Sequence, residues 1–191
     1  MTAPVTQWLG HRPELGPYLT AAAVTAAALP LYPGRRYVLV LLLLFAPLLD
    51  RSWRPPAMPR GRAHTVAWAL LVALSAGLVA REPALSGGLA AGALAFIALP
   101  EEWFFRGYLL HRLGGGWRAN VLVSVLFAAV HVPMQGWMPG VLVFFPSLVY
   151  GWLYARTRDF LLVVLLHALS NLLYVAWIER WLTAVVSGTG A

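Results

Sequence analysis

Apolar residues gather in seven stretches, at about 17–32, 37–49, 64–80, 85–110, 119–132, 137–155 and 159–178, divided by short segments rich in Arg, Pro and Gly. Runs of this kind predict transmembrane helices, which need about 20 residues each to cross the hydrocarbon core. The pattern therefore predicts an all-α fold, a polytopic membrane helix bundle of about seven transmembrane helices forming one domain over 1–191. The stretch 37–49 is short for a full crossing, so three readings stand: it tilts little, borrows flanking residues, or forms a re-entrant hairpin with the first helix. The tail 179–187 admits two readings, an interfacial turn or the start of an eighth helix. The first stretch follows Arg12 and is Ala-rich, as a signal peptide is, and we expect it to be retained as a helix.

Composition strengthens this picture. Hydrophobic residues make up 60% of the chain and charged residues 11%, against roughly 45–50% and 25% in soluble domains. Cysteine is absent, which excludes disulfide scaffolds, thiol nucleophiles and thiolate metal sites. The net charge of +7 comes from fourteen basic residues, all of them Arg and nearly all at the ends of apolar runs. That placement marks membrane topology and gives no reason to invoke nucleic acid. Arg12, Arg51, Arg54, Arg60, Arg62, Arg112, Arg118, Arg156 and Arg158 fall on one side, with Arg35, Arg36, Arg81 and Arg180 on the other. The positive-inside rule then puts the N-terminus in the cytoplasm. Gly88 and Gly92 form a GxxxG, which either admits a close helix neighbour or merely recurs in a Gly-rich segment.

Ionisable groups inside a span cost about 2.5–3.5 kcal/mol each on insertion scales, so they need partners or a function. In this chain they are concentrated in Glu101, Glu102 and Arg106 of the fourth stretch, His131 of the fifth, and His167 with Asn171 of the seventh. Glu102 and Arg106 are four apart, acid first, the favourable spacing for an ion pair on one helix face. Glu101 points about 100° away from Glu102 and lacks that partner. Pro100 removes one helical hydrogen bond beside the carboxylates, which predicts a kink there. His167 and Asn171 are also four apart and share a face. At 1.5 Å per residue, Glu101, His131 and Asn171 each lie about 18 Å from the cytoplasmic end of their helices, and His167 about 12 Å. If the three helices are neighbours, they build one polar cavity near mid-membrane. His11, His64 and His111 fall in loops or at helix ends and read as surface residues, while Asp50 and Asp159 sit at membrane edges, solvated or paired with Arg.

Several chemistries fit these groups. A lone intramembrane His or Asn often serves only as interhelical glue. A carboxylate and an imidazole facing one water can act together as general base, and a second imidazole with an amide can hold a developing oxyanion. That is an amide-hydrolysis set without Ser or Cys, with Glu101 and His131 on the water and His167 and Asn171 on the carbonyl. Glu plus two His is also a plausible zinc set, although no HExxH is present. A proton-coupled transporter would use buried Glu and His as relays, but the chain is small for one and shows no paired half-repeats.

Three motifs carry a resemblance. E101-E102-W-F-F-R106 resembles EExxxR, F127-A-A-V-H131 resembles FxxxH, and H167-A-L-S-N171 resembles HxxxN of the CPBP family of intramembrane proteases, which includes the type II CAAX prenyl endopeptidases. The motif-bearing core covers about 85–178. The resemblance implies a glutamic, metal-independent protease with no cofactor, in which Glu101 is the catalytic acid, His131 its partner, and His167 and Asn171 the oxyanion pair. Glu102 and Arg106 would be supporting residues, and Phe127 would pack on the His131 face. It implies a membrane-anchored protein or peptide substrate, cut near a membrane-embedded C-terminal tail, in sorting-tail or CAAX-like processing. Relatives in this family also include bacteriocin-immunity proteins, a non-enzymatic alternative. The all-Arg, Ala-rich composition fits a bacterial inner membrane.

Overall fold

The computed structural model describes residues 16–29, 32–56, 58–179 and Trp181, and every element among them is helical. In chain order these are α1 (Gly16–Ala28), α2 (Arg35–Phe45), α3 (Arg62–Arg81), α4 (Gly87–Leu110), α5 (Trp117–Gln135), α6 (Trp137–Thr157) and α7 (Phe160–Ile178). Each falls on one of the seven apolar stretches. Among the described residues the five helices from α3 onward are long and apolar enough to cross a membrane, and α1 and α2 are not. With 13 and 11 residues, α1 and α2 fall well short of a crossing on their own. A tight turn at Ala46–Leu49 follows α2, with Pro47 at its start. Residues 182–187 of the tail lie outside the described residues.

The chain sorts into two compact units, and α4 contributes to both, up to Pro100 in one and from Glu101 in the other. The first holds residues up to 56 together with 101–158. Within it α5 is central, packed by α1, by α6 and by residues 103–110 of α4. Asn120 of α5 donates to the Leu148 carbonyl of α6 at 2.9 Å, and the backbones meet there because position 151 is Gly. A Cβ on Gly151 would sit 1.8 Å from Asn120 Oδ1, and one on Gly140 would sit 2.5 Å from Val132 Cα. These are the close helix approaches of this unit. At Gly92 nothing described lies within 4 Å of such a Cβ, and at Gly88 only Ser86 does, so the GxxxG of α4 receives no close neighbour. α6 is interrupted at Val143, between Trp137–Leu142 and Phe144–Thr157, which places Pro146 in the first turn of the second segment, where a residue without an N–H is tolerated.

The second unit holds residues 58–100 and those from 159 onward. Here α7 packs on α3 and on residues 93–98 of α4. Leu85, Leu172 and Ala176 form its small buried core, with Leu78, Val79, Ala90 and Val175 against it. No residue of α3 is buried, as expected for an outer helix whose solvent is lipid.

Two expectations from the sequence change here. His64 lies in α3 and its Nδ1 meets Asp159 Oδ2 at 2.6 Å, so it is a paired residue and not a free surface one. Asp159 is completely buried, accepts from Trp68 Nε1 at 2.9 Å, and caps α7 by accepting from the Leu162 N–H. His64 and Trp68 are thus among its partners, which the sequence did not suggest. Asp50 does pair with Arg, meeting Arg112 at 2.6 Å.

Candidate active site

Pro100 has no N–H to give the carbonyl four residues back, and the α4 ladder re-registers on both sides of it. Wide, π-type turns run over Ala93–Ala98 and again over Trp103–Leu110, leaving ordinary α-helix over Gly87–Gly92 and, between the two wide segments, over Leu99–Glu102. Such turns are common at functional positions. The predicted disturbance beside the carboxylates thus takes the form of widened turns.

Glu102 and Arg106 are both fully buried and bonded, Nη1 to Oε1, at 3.0 Å. Arg106 Nη2 then donates to the backbone oxygen of Ser147 at 3.0 Å and to its Oγ at 2.7 Å, and Ser147 Oγ donates to Ser124 Oγ at 2.9 Å. A guanidinium in a low-dielectric interior needs this many acceptors, and α4, α5 and α6 all contribute to holding it. Ser124 and Ser147 belong to no motif. The one sequence feature they share is a small hydroxyl inside an apolar helix, which by itself assigns no role.

Glu101 faces differently, as its 100° offset from Glu102 requires. Its Oε2 lies 3.7 Å from His131 Nε2, and both side chains keep a small opening, 16% and 10% exposed. The His131 Nδ1 lies 2.8 Å from the Phe127 carbonyl. A carbonyl can only accept, so Nδ1 carries the hydrogen and Nε2 presents a lone pair toward Glu101. Two acceptors then face one another, too far apart for a direct hydrogen bond. A water molecule beside the pair can donate one O–H to each. Phe127 does more than pack: its ring stacks on the imidazole with centroids 4.3 Å apart at 30°, and Arg106 Cζ lies 4.8 Å from that same ring.

His167 and Asn171 lie one turn apart on α7, in the other unit. His167 is 5% exposed. The Asn171 amide nitrogen is buried and makes no hydrogen bond among the described residues. An amide donor held without an acceptor in an apolar helix carries a cost unless something transient uses it.

Among the described residues, no group of three or more His, Asp or Glu side chains stands close enough together to hold a metal ion. A family model described as type II CAAX prenyl endopeptidase Rce1-like matches residues 83–173, a span that contains all three motifs. Searches of curated proteins and of solved structures returned no match.

Proposed function

We propose, from the match of residues 83–173 to the Rce1-like family model of type II CAAX prenyl endopeptidases and from the geometry of the site, that the protein is an intramembrane glutamic endopeptidase acting on a membrane-anchored protein substrate. The observation that carries this reading is the pair of acceptors, Glu101 Oε2 and His131 Nε2, 3.7 Å apart with the imidazole hydrogen committed to Phe127.

A water donating to both is polarised from two sides. As its oxygen bonds to the scissile carbonyl carbon, its proton passes to the Glu101–His131 pair, and the carbonyl π electrons move onto oxygen. We assign His167 and Asn171 as donors to that oxyanion, a role that suits an imidazole and an amide one turn apart. Collapse of the tetrahedral intermediate breaks the C–N bond, and the proton held by the Glu101–His131 pair goes to the leaving amine. Glu102 and Arg106 neutralise each other and keep the second acid out of the reaction. No step calls for a metal. The scissile bond lies near a membrane-embedded C-terminal tail, in sorting-tail or CAAX-like processing, and the protein resides in a bacterial inner membrane with its N-terminus in the cytoplasm.

The test is cleavage of candidate tail-anchored substrates co-expressed with wild type, Glu101→Gln and His131→Ala, and by the purified enzyme with and without a chelator. The expected outcome is a loss of about 10²–10⁴-fold in each variant with no effect of the chelator. Full activity in Glu101→Gln would overturn the reading. Loss on chelation would move the same side chains to a metal site, and ion flux dependent on Glu101 without cleavage would favour a transporter.

A further inference from the structure

His131 can act only if its Nε2 keeps pointing at Glu101, and the torsion that aims an imidazole ring is soft and nearly two-fold. Two contacts resist its rotation, and both come from Phe127. One is the Phe127 carbonyl, 2.8 Å from Nδ1, and the other is the Phe127 ring, stacked 4.3 Å from the imidazole. The ring is in turn met by Phe105 edge-on, with centroids 5.0 Å apart, and by the Arg106 guanidinium. What fixes the guanidinium therefore fixes the ring.

Arg106 is anchored at both ends. Nη1 is bound to Glu102 on its own helix, and Nη2 reaches across to Ser147 on α6. The hydroxyl of Ser147 has one hydrogen, and it is given to Ser124 Oγ on α5. Ser124 thereby turns the Ser147 lone pairs toward Arg106, which makes the 2.7 Å bond directional. All of these side chains except His131 are completely buried or nearly so, where water cannot substitute for a lost partner.

We propose that Ser147 is a positioning residue for His131, acting through Arg106 and the Phe127 ring. It touches no reacting atom. Its hydroxyl holds the guanidinium on the ring, and the ring holds the imidazole in the plane that aims Nε2 at Glu101. The proposal rests on the catalytic reading above for its consequence in activity, and on the packing alone for its structural content.

The experiment reads His131 directly, by ¹⁵N spectroscopy of histidine-labelled full-length protein in detergent micelles, alongside steady-state cleavage. Wild type should show His131 as one tautomer, protonated at Nδ1. Ser147→Ala should mix the tautomers and lower kcat about ten- to a hundredfold with KM unchanged, as a small misalignment of a reacting group does. Ser147→Thr, which restores the hydroxyl, should return both readouts toward wild type. Phe127→Leu should give the same loss, and adding Ser147→Ala to it should change nothing more. Should Ser147→Ala not fold, Ser124→Ala, which frees the Ser147 hydroxyl to turn, provides the same test. An unchanged His131 signal in a folded Ser147→Ala protein overturns the proposal, and so does an equal disturbance of every histidine, which marks general loosening. If wild type cleaves nothing, the catalytic reading fails while the His131 spectra still decide the positioning role.

Discussion

Glu102 and Arg106, one helical turn apart and both fully excluded from the surface, meet at 3.0 Å, while the adjacent Glu101 turns away to His131. Two neighbouring acids therefore have opposite consequences when neutralised. Glu102→Ala strands a buried guanidinium and should destabilise the protein by about 3–5 kcal/mol. Glu101→Gln keeps its shape and a small opening, and should leave thermal unfolding in detergent nearly unchanged. Unfolding curves of the two variants side by side check this, and equal destabilisation would contradict it.

Gly151 makes a second, purely steric prediction. A Cβ there would overlap Asn120 Oδ1 at 1.8 Å, so Gly151→Ala must push α5 and α6 apart or drive Asn120 from its bond to Leu148. Overpacking of this kind costs about 1–3 kcal/mol. Asn120→Ala alone gives up one hydrogen bond, and the double variant should be more stable than Gly151→Ala. That non-additivity, read from thermal midpoints of the three variants, distinguishes a local clash from a general intolerance of the helix.

Much of this was legible in the sequence because membrane helices carry strong signals. The seven apolar stretches gave seven helical segments, and the spacing of Glu102 and Arg106 gave their bond, since both follow from local geometry. The shared depth of Glu101 and His131 anticipated their meeting. Ser124 and Ser147 were not legible, because their part in holding Arg106 depends on how α6 is rotated against α5, a tertiary fact that no local spacing encodes. The same reason explains the glycines. Among the described residues Gly88 and Gly92 have the motif and no close neighbour, whereas Gly140 and Gly151 have the close neighbours and no motif. Gly alone permits a close approach, and the fold decides where one happens.

Asp50 supplies a pH dependence. Burial works against its charge, but hydrogen bonds from Arg112 and Ser52 outweigh that, and the carboxyl is held below its ordinary value of 3.8. A lowered folded value means the ionised form binds the fold more tightly. The stabilisation is therefore complete above about pH 5 and is lost as the pH falls through the lowered value. Asp50→Asn should be less stable than wild type at neutral pH, and the gap between the two should close on acidification. Thermal midpoints of both proteins from pH 7 to pH 2.5 test this. A gap that stays constant would show that the charge of Asp50 contributes nothing.

Asp159 shows how one buried carboxylate can fasten two helices. It caps α7 through the Leu162 N–H, and it also accepts from Trp68 Nε1 and pairs with His64, both on α3. An ordinary cap removed by Ala costs about 1 kcal/mol. Here the same substitution also leaves the Trp68 indole and the His64 ring without their acceptor, so the loss should be on the order of 3 kcal/mol. Asp159→Asn keeps the cap oxygen and an acceptor for Trp68, and should lose less than half as much. Trp68→Phe removes one donor and no cap, and should cost about 1 kcal/mol. α3 buries no residue completely, so beside the packing of Leu78 and Val79 at its far end this cluster is what fastens its first turns to α7. Proteolysis of Asp159→Ala in micelles should therefore begin in the segment that leads into α3. Cleavage elsewhere first would show that lipid-facing packing, and not Asp159, holds α3 in place.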